Sequence, residues 1–471
     1  MGVAEAAPFS APAPHFLSSA PALTAGPLAR PARFHRTFLQ PWPTLPPLTA
    51  QVIEGPRMPT TAAVSRDEQR ALAAIDGQRE AMIQTAIDWA SINSGSNNLE
   101  GLERMAAALT PALAALGAEP ALVEAAPATA IDGQGRMAPL RRGRNLRLEM
   151  RPAAPLQVLL VGHMDTVFAA DDPFQTVRWR QPGVLNGPGV ADMKGGLAVM
   201  LAALTALEAS PWAGDIGYQV VINADEEVSS LGSAELLKRA AARARLGLVF
   251  EPATTPSGEL ASARKGLAAF TLVARGVSAH AGRNPQDGRN AVVAAAEFAV
   301  AAAALSGARE GLSVNVARIE GGGPTNVVPD LALCRLEARI ATHADAHWIE
   351  AELARLARGI GARRDLALAL HGGFTRPPKP FDAATQALFE AVRRCGADLG
   401  QTIGWSASGG CCDGNNLAEA GLAVVDTLGV RGGAIHSPDE YLIVDSLVER
   451  AQLSALLLMR LAAGKIEAPG G

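Results

Sequence analysis

The sequence predicts an α/β protein. It reads as a split domain with a mostly parallel sheet flanked by helices, interrupted by an inserted ferredoxin-like unit of order β-α-β-β-α-β. Three observations carry that prediction. The apolar runs "LQVLLVG", "YQVVIN" and "LGLVF" are continuous and alternate with helical stretches, as parallel strands covered on both faces do. Near Lys265 the pattern changes to strands and helices that are complete in the β-α-β-β-α-β order. After "FTRPPK" at 374–379 a helix and one more apolar strand return, so the first domain resumes.

In chain order, residues 1–65 are rich in Pro, Ala and Ser and read as a disordered tail. They lack the basic start and apolar core of a secretory signal, and Met58 is a candidate initiator within them. Residues 66–263 form the first part of the split domain. Helical spacing covers Asp76 to Ala90 and Leu102 to Leu116, and "NLRLEM" alternates like a strand. "LQVLLVGHMDTV" is a buried strand, "DMKGGLAVMLAALTALEAS" a long helix, and "YQVVINADEE" a second buried strand. "SAELLKRAAARA" is a helix and "LGLVFEP" a third strand.

Residues 264–373 form the insert. Its strands are "LAAFTLVARG", "LSVNVARIEGG", "LALCRLEARIA" and "LALALHGG", and its helices are "GRNAVVAAAEFAVAAAAL" and "ADAHWIEAELARLARGIG". "FTRPPK" reads as the return linker, and residues 374–471 complete the split domain. They supply the helix "ATQALFEAVRRCGADLG", the strand "AGLAVVDTLG" and a last helix whose Ser446 and Glu449 have capping-box spacing.

With 471 residues the chain exceeds one ordinary domain. The net charge of -4 argues against a broad basic face for nucleic acid. No apolar run reads as a membrane span. The four cysteines, Cys334, Cys395, Cys411 and Cys412, make neither a disulfide framework nor a thiolate metal site. They suit a reducing, cytoplasmic setting.

The ionisable residues fall in a pattern. His163 and Asp165 follow the strand "LQVLLVG", Glu226 and Glu227 follow "YQVVINAD", and Glu251 follows "LGLVF". His436 lies beyond "AGLAVVDTLG", and Asp192 sits where the turn "NGPGVAD" enters a helix. The carboxyl ends of parallel strands gather along one crevice. So many carboxylates there need cations. Two divalent ions serve, and imidazole with carboxylate favours zinc, with cobalt or manganese tolerated. One carboxylate must bridge them, and Asp192 is the natural candidate. Asp165 is placed to accept the ring N–H of His163. Asp225, the third acid of "ADEE", is assigned to the surface or the turn.

The stretches "GHMDTV", "GPGVADMKGG", "NADEEVSSLGS", "FEP", "SAHAG", "GGPTNVVPD", "GGCCDGNN" and "GAIHSPDEY" resemble the M20 metallopeptidases. That group includes glutamate carboxypeptidase, acetylornithine deacetylase and aminoacylase. The likeness runs from about Ala71 to Gly464 and makes the insert a lid and dimerisation domain. It implies one metal on His163, Asp192 and Glu251, and another on Asp192, Glu227 and His436. It implies Glu226 as general base, Asp165 as the partner of His163, and a homodimer. His280 would reach the substrate carbonyl, often from the neighbouring subunit, while Asn326 and Arg339 would hold a substrate carboxylate.

The resemblance implies a two-zinc hydrolase that cuts the C-terminal amide of a peptide or N-acyl amino acid. A metal-activated hydroxide attacks and Glu226 shuttles the proton. An N-deacylase of the acetylornithine or succinyl-diaminopimelate type is the alternative, and a non-catalytic binding relative the remote one. Two departures bear on the substrate. Cys411 and Cys412 stand where small residues are commoner, and Glu259 occupies a region where some glutamate-releasing relatives carry lysine.

Overall fold

The computed structural model describes residues 63–469. The expected tail, with Met58, lies outside them up to residue 62. Ser65 already caps the first helix, Arg66–Asp76: its hydroxyl accepts from the Glu68 N–H, and Glu68 accepts from the Ser65 N–H at 2.6 Å. The periodicity first read from Asp76 belongs to a second helix, Arg79–Ala90, and Leu99–Ala114 follows.

The central sheet has the strand order Ala121–Val123, Asn145–Met150, Ile216–Asn223, Leu156–His163, Leu246–Val249, Ala423–Val425. The last four of these pair in parallel, and the first two join antiparallel. Every residue of Ile216–Asn223 is buried, which explains its unbroken apolar run. His163 pairs in register with Asn223. The chain after each strand therefore emerges on the same edge, His163 to Asp165 beside Asp225 to Glu227.

Asp192 departs from the helical reading. It sits in an extended conformation (φ -114°, ψ 92°) in an irregular turn, and the regular helix begins only at Gly196 and runs to Glu208. The whole segment Val190–Glu208 has the length and apolarity of a membrane span, contrary to the sequence reading. It is 89% buried inside the protein and serves as a core element.

The insert has its own antiparallel sheet, ordered Ser313–Gly321, Leu331–Ile340, Gly266–Arg275, Ala367–Arg376, with helices Ala291–Ala303 and His343–Arg364. Phe270, Phe298, Ile349 and Leu353 anchor a separate core. Its last strand runs through Phe374, Thr375 and Arg376, which the prolines behind them made look like linker. The two connections are tied together. Arg264 and Lys379 exchange backbone hydrogen bonds of 3.0 Å each. Both side chains also reach buried Asp426, at 2.7 and 2.9 Å.

The capping box expected at Ser446 does not form. The last helix, Asp445–Ala462, is entered from the strand Tyr441–Ile443 with Val444 at the cap position, so Ser446 falls inside the first turn. Its hydroxyl donates to the Ile443 carbonyl, and Glu449 pairs with Arg431 at 2.9 Å.

Candidate metal centre

The strand ends and the Asp192 turn converge on a cavity of about 710 Å³, lined among others by Asp192, Glu226, Glu227, Glu251, Arg339 and His436. Asp192 stands between two imidazoles. Its Oδ1 is 3.2 Å from His163 Nε2, and its Oδ2 is 3.2 Å from His436 Nε2. Glu251 joins the His163 side at 3.6 Å and Glu227 the His436 side at 3.2 Å. The donors thus divide into two sets that share one carboxylate. Donor atoms of His163, Glu226 and Glu251, and of His163, Asp192 and Glu227, also lie within 4.8 Å of one another, two groupings that cut across that division. The histidine contacts define the two sides, because a carboxylate oxygen facing an imidazole shares with it the space in which an ion would sit.

Burial pushes the carboxyls of Glu226, Glu227 and Glu251 up to about 8, 7 and 7, and repulsion among the carboxylates adds to it. Asp192 is the exception. Burial acts against its charge, but hydrogen bonds from both histidines hold it below the usual carboxylate range. Burial also opposes a charge on His163, yet its bonds to Asp165, Asp192 and Glu251 keep the imidazole well above its ordinary value. Hydrogen bonds to Asp192 and Glu227 push His436 up to about 11. Glu227 Oε1 is buried without a hydrogen-bond partner, as a carboxylate shaped for a metal ion leaves it. The donor set of imidazoles and carboxylates fits divalent zinc-like ions.

Surrounding residues fix this geometry. The Nδ1 of His163 lies 3.0 Å from the Asp165 backbone carbonyl and 3.4 Å from its carboxylate. The carboxylate of Asp165 instead accepts from the backbone N–H of Glu226 and of Glu227, both at 3.1 Å, and from Ser96 at 2.7 Å. It therefore anchors the turn that carries both glutamates. Asp225 is buried rather than on the surface, and ties the same turn to Gly232 and Ser233 at 2.6 Å each.

Sequence reasoning passed over two residues. Glu440 accepts backbone N–H bonds from Gly189, Ala191 and Asp192 at 3.1, 2.9 and 3.0 Å, so it holds the turn that carries Asp192. Its place four residues after His436 was the available signal. Arg376, taken for linker, reaches Glu226 Oε1 at 2.6 Å, and also donates to the Glu226 carbonyl at 2.6 Å and to Ser230 at 2.9 Å.

Not every candidate reaches the cavity. Arg339 lines it, with Glu337 at 3.2 Å. His280 and Asn326 lie together on two loops of the insert, joined where the Ala281 N–H donates to the Asn326 carbonyl at 2.9 Å. Neither lines the cavity of its own chain. His280 Nδ1 accepts from the N–H groups of Gly282 and Arg283, at 3.1 and 3.2 Å.

A family model described as peptidase family M20/M25/M40 matches residues 159–460. Carboxypeptidase G2 of Pseudomonas sp. (strain RS-16) is 28% identical over 415 residues, spanning 86% of this chain and 95% of that one. Succinyl-diaminopimelate desuccinylase of Hahella chejuensis is 29% identical over 332 residues, spanning 65% and 82%. Among solved structures, aminopeptidase PepT from Bacillus cereus superposes with a TM-score of 0.62 at 23% identity, covering 82% of this chain and 99% of its own. An M20 family metallo-carboxypeptidase from Sulfolobus solfataricus gives 0.63 at 17% identity, covering 81% and 99%. At these identities the two structures speak for the fold.

Proposed function

The chain belongs to peptidase family M20/M25/M40, and on that premise we propose that it is a two-zinc, carboxypeptidase-like hydrolase. It would release the C-terminal residue of a peptide or of an N-acyl amino acid. That it hydrolyses amide or peptide bonds with the help of metal follows from the family and its relatives. The observation that carries the finer reading is Asp192, with one oxygen facing each histidine.

His163, Asp192 and Glu251 would hold one ion, and Asp192, Glu227 and His436 the other. Zinc suits these donors, and cobalt or manganese would be accepted. Divalent ions held there would supply Lewis acidity for the scissile carbonyl and for the attacking water. Glu226 has no histidine contact but lines the cavity. Its carboxylate takes the water's proton and delivers it to the leaving nitrogen. Arg376 holds that carboxylate in place, and Asp165 and Glu440 hold the backbone on either side of the donors. Arg339 offers a guanidinium to the free carboxylate of the substrate.

His280 and Asn326 would complete the site from a second copy of the chain, in a homodimer built through the insert. That neither lines its own cavity supports this, as does the strand Ser313–Gly321, which stands at an edge of the insert's sheet among the described residues. All four cysteines are free, in keeping with a cytoplasmic home.

The test is metal analysis of the purified protein together with a substrate panel. Folate-like and dipeptide substrates are set against N-acetyl and N-succinyl amino acids. Two ions per chain and faster hydrolysis of the peptide-like group are the expected result. Hydrolysis confined to the acylated amino acids would move the reading to a small-molecule deacylase, which the desuccinylase likeness favours.

A further inference from the structure

Cys411 and Cys412 both line the cavity that holds Glu226 and Glu227, but Cys412 is buried like Cys334 and Cys395, whereas Cys411 is half-buried. Two guanidiniums flank its sulfur. Arg339 Nη1 is 3.5 Å away and Arg376 Nη1 is 3.8 Å away. Arg376 is only 3% exposed, lines the same cavity, and leaves its Nε without a partner. Cations beside an accessible thiol are the setting in which cysteines react, and buried apolar ones stay inert. Arg376 already carries Glu226 and Asp413, whereas Arg339 meets Glu337 through Nε and turns Nη1 to the sulfur, so Arg339 is the cation that would hold an anion there.

We propose that Cys411 is a covalent modification site for carboxylate-bearing disulfides, and that its modification shuts the cavity to substrates with a free carboxylate. The Cys411 sulfur gives up its proton to solvent and attacks one sulfur of the reagent. The reagent's S–S bond breaks, a mixed disulfide forms on Cys411, and the other half leaves as a thiolate. Cys411 is oxidised and the departing half is reduced. A dithiol reverses the step, becoming a cyclic disulfide itself. The attached group occupies the space beside Arg339 where the substrate's carboxylate would bind, so the effect on activity rests on the function proposed above.

The experiment treats the metal-loaded protein with dithiobis(nitrobenzoate), which carries carboxylates, and with neutral dithiodipyridine. A single fast-reacting thiol per chain is expected, and peptide mass analysis of the labelled wild-type protein should place it at Cys411. Relative to the protein unfolded in urea, the native protein should prefer the carboxylate reagent by about 5-fold, the effect of one positive charge about 4 Å away in water. Arg339→Gln should remove most of that preference. Cys411→Ser should abolish the fast phase.

Labelled enzyme should lose at least ~10-fold in kcat/KM on carboxylate-bearing substrates, with metal content unchanged and activity restored by dithiothreitol. The labelling rates read the thiol site whether or not the chain proves to be a carboxypeptidase, and the activity loss reads its coupling to the cavity. A label found on another cysteine, a preference untouched by Arg339→Gln, or a labelled enzyme of unchanged KM and kcat would each overturn the proposal.

Discussion

The inserted domain and the crevice hold their carboxylates in opposite ways. In the insert, Glu297 lies between Arg363 and Arg364, and Glu320 between Arg335 at 2.9 Å and Arg318 at 2.6 Å. Hydrogen bonds from those arginines hold both acids below the usual carboxylate range. In the crevice, burial drives Glu226, Glu227 and Glu251 up, although Arg376 pairs with Glu226 and Arg264 acts on Glu251. One region brings its own cations. The other has too few for its acids, whose burial outweighs its arginines and keeps Glu226, Glu227 and Glu251 high, at a cost to its stability.

Removing the ions should break this contrast most completely. A strong chelator is expected to abolish hydrolysis, and zinc or cobalt to restore it, while circular dichroism shows the helices of the insert unchanged.

Next in size, Glu226→Gln should lower turnover at least ~100-fold with both ions still bound, the scale of a lost general base. Glu227→Gln should instead weaken one ion, with partial rescue at high metal. Equal metal loss in both variants would show that the two glutamates do not divide the work.

Arg339→Lys should then cost ~10-fold on substrates with a free carboxylate and little on their amides, because lysine cannot make the paired hydrogen bonds. Equal losses on both would mark Arg339 as structural.

The contrast also has a pH signature. The three crevice glutamates titrate higher in the folded protein than in the unfolded chain. The metal-free fold therefore prefers them protonated, and their contribution is lost as pH rises through about 7 to 8. Melting of the metal-free protein should fall by a few degrees between about pH 5 and 8. Added zinc should raise it more at the upper end. In the insert the sign reverses, since Glu297 and Glu320 are lowered and their pairing is lost only in acid. The smallest effect belongs there: Glu297→Gln should cost at most ~1 kcal/mol, as exposed pairs do, and leave turnover unchanged.

Much of this was legible in the sequence. The strands before His163, Glu226 and Glu251 are apolar on both faces, so their runs are unbroken and their ends point to one edge. What stayed hidden depends on backbone geometry that spacing does not record. Asp192 looks like the start of a helix but sits in an extended turn. Asp225 looks like one surface acid too many, yet it is buried because the turn folds back on its carboxylate. Arg376 vanished among prolines, although strand pairing carries it into the cavity. Glu440 works through three backbone N–H groups, and a donor of that kind has no letter in a sequence.

The strand Ala423–Val425 closes the outer edge of Leu246–Val249. It comes after the entire insert, so a chain leaving the ribosome makes the inner strands first, then a complete second domain, and only then the piece that seals the first. Until that moment Leu246–Val249 offers an open edge to any passing strand. His436 emerges later still. The nascent protein can gather Asp192, Glu227 and Glu251 early, but the donor set proposed above stays incomplete until the chain has passed His436.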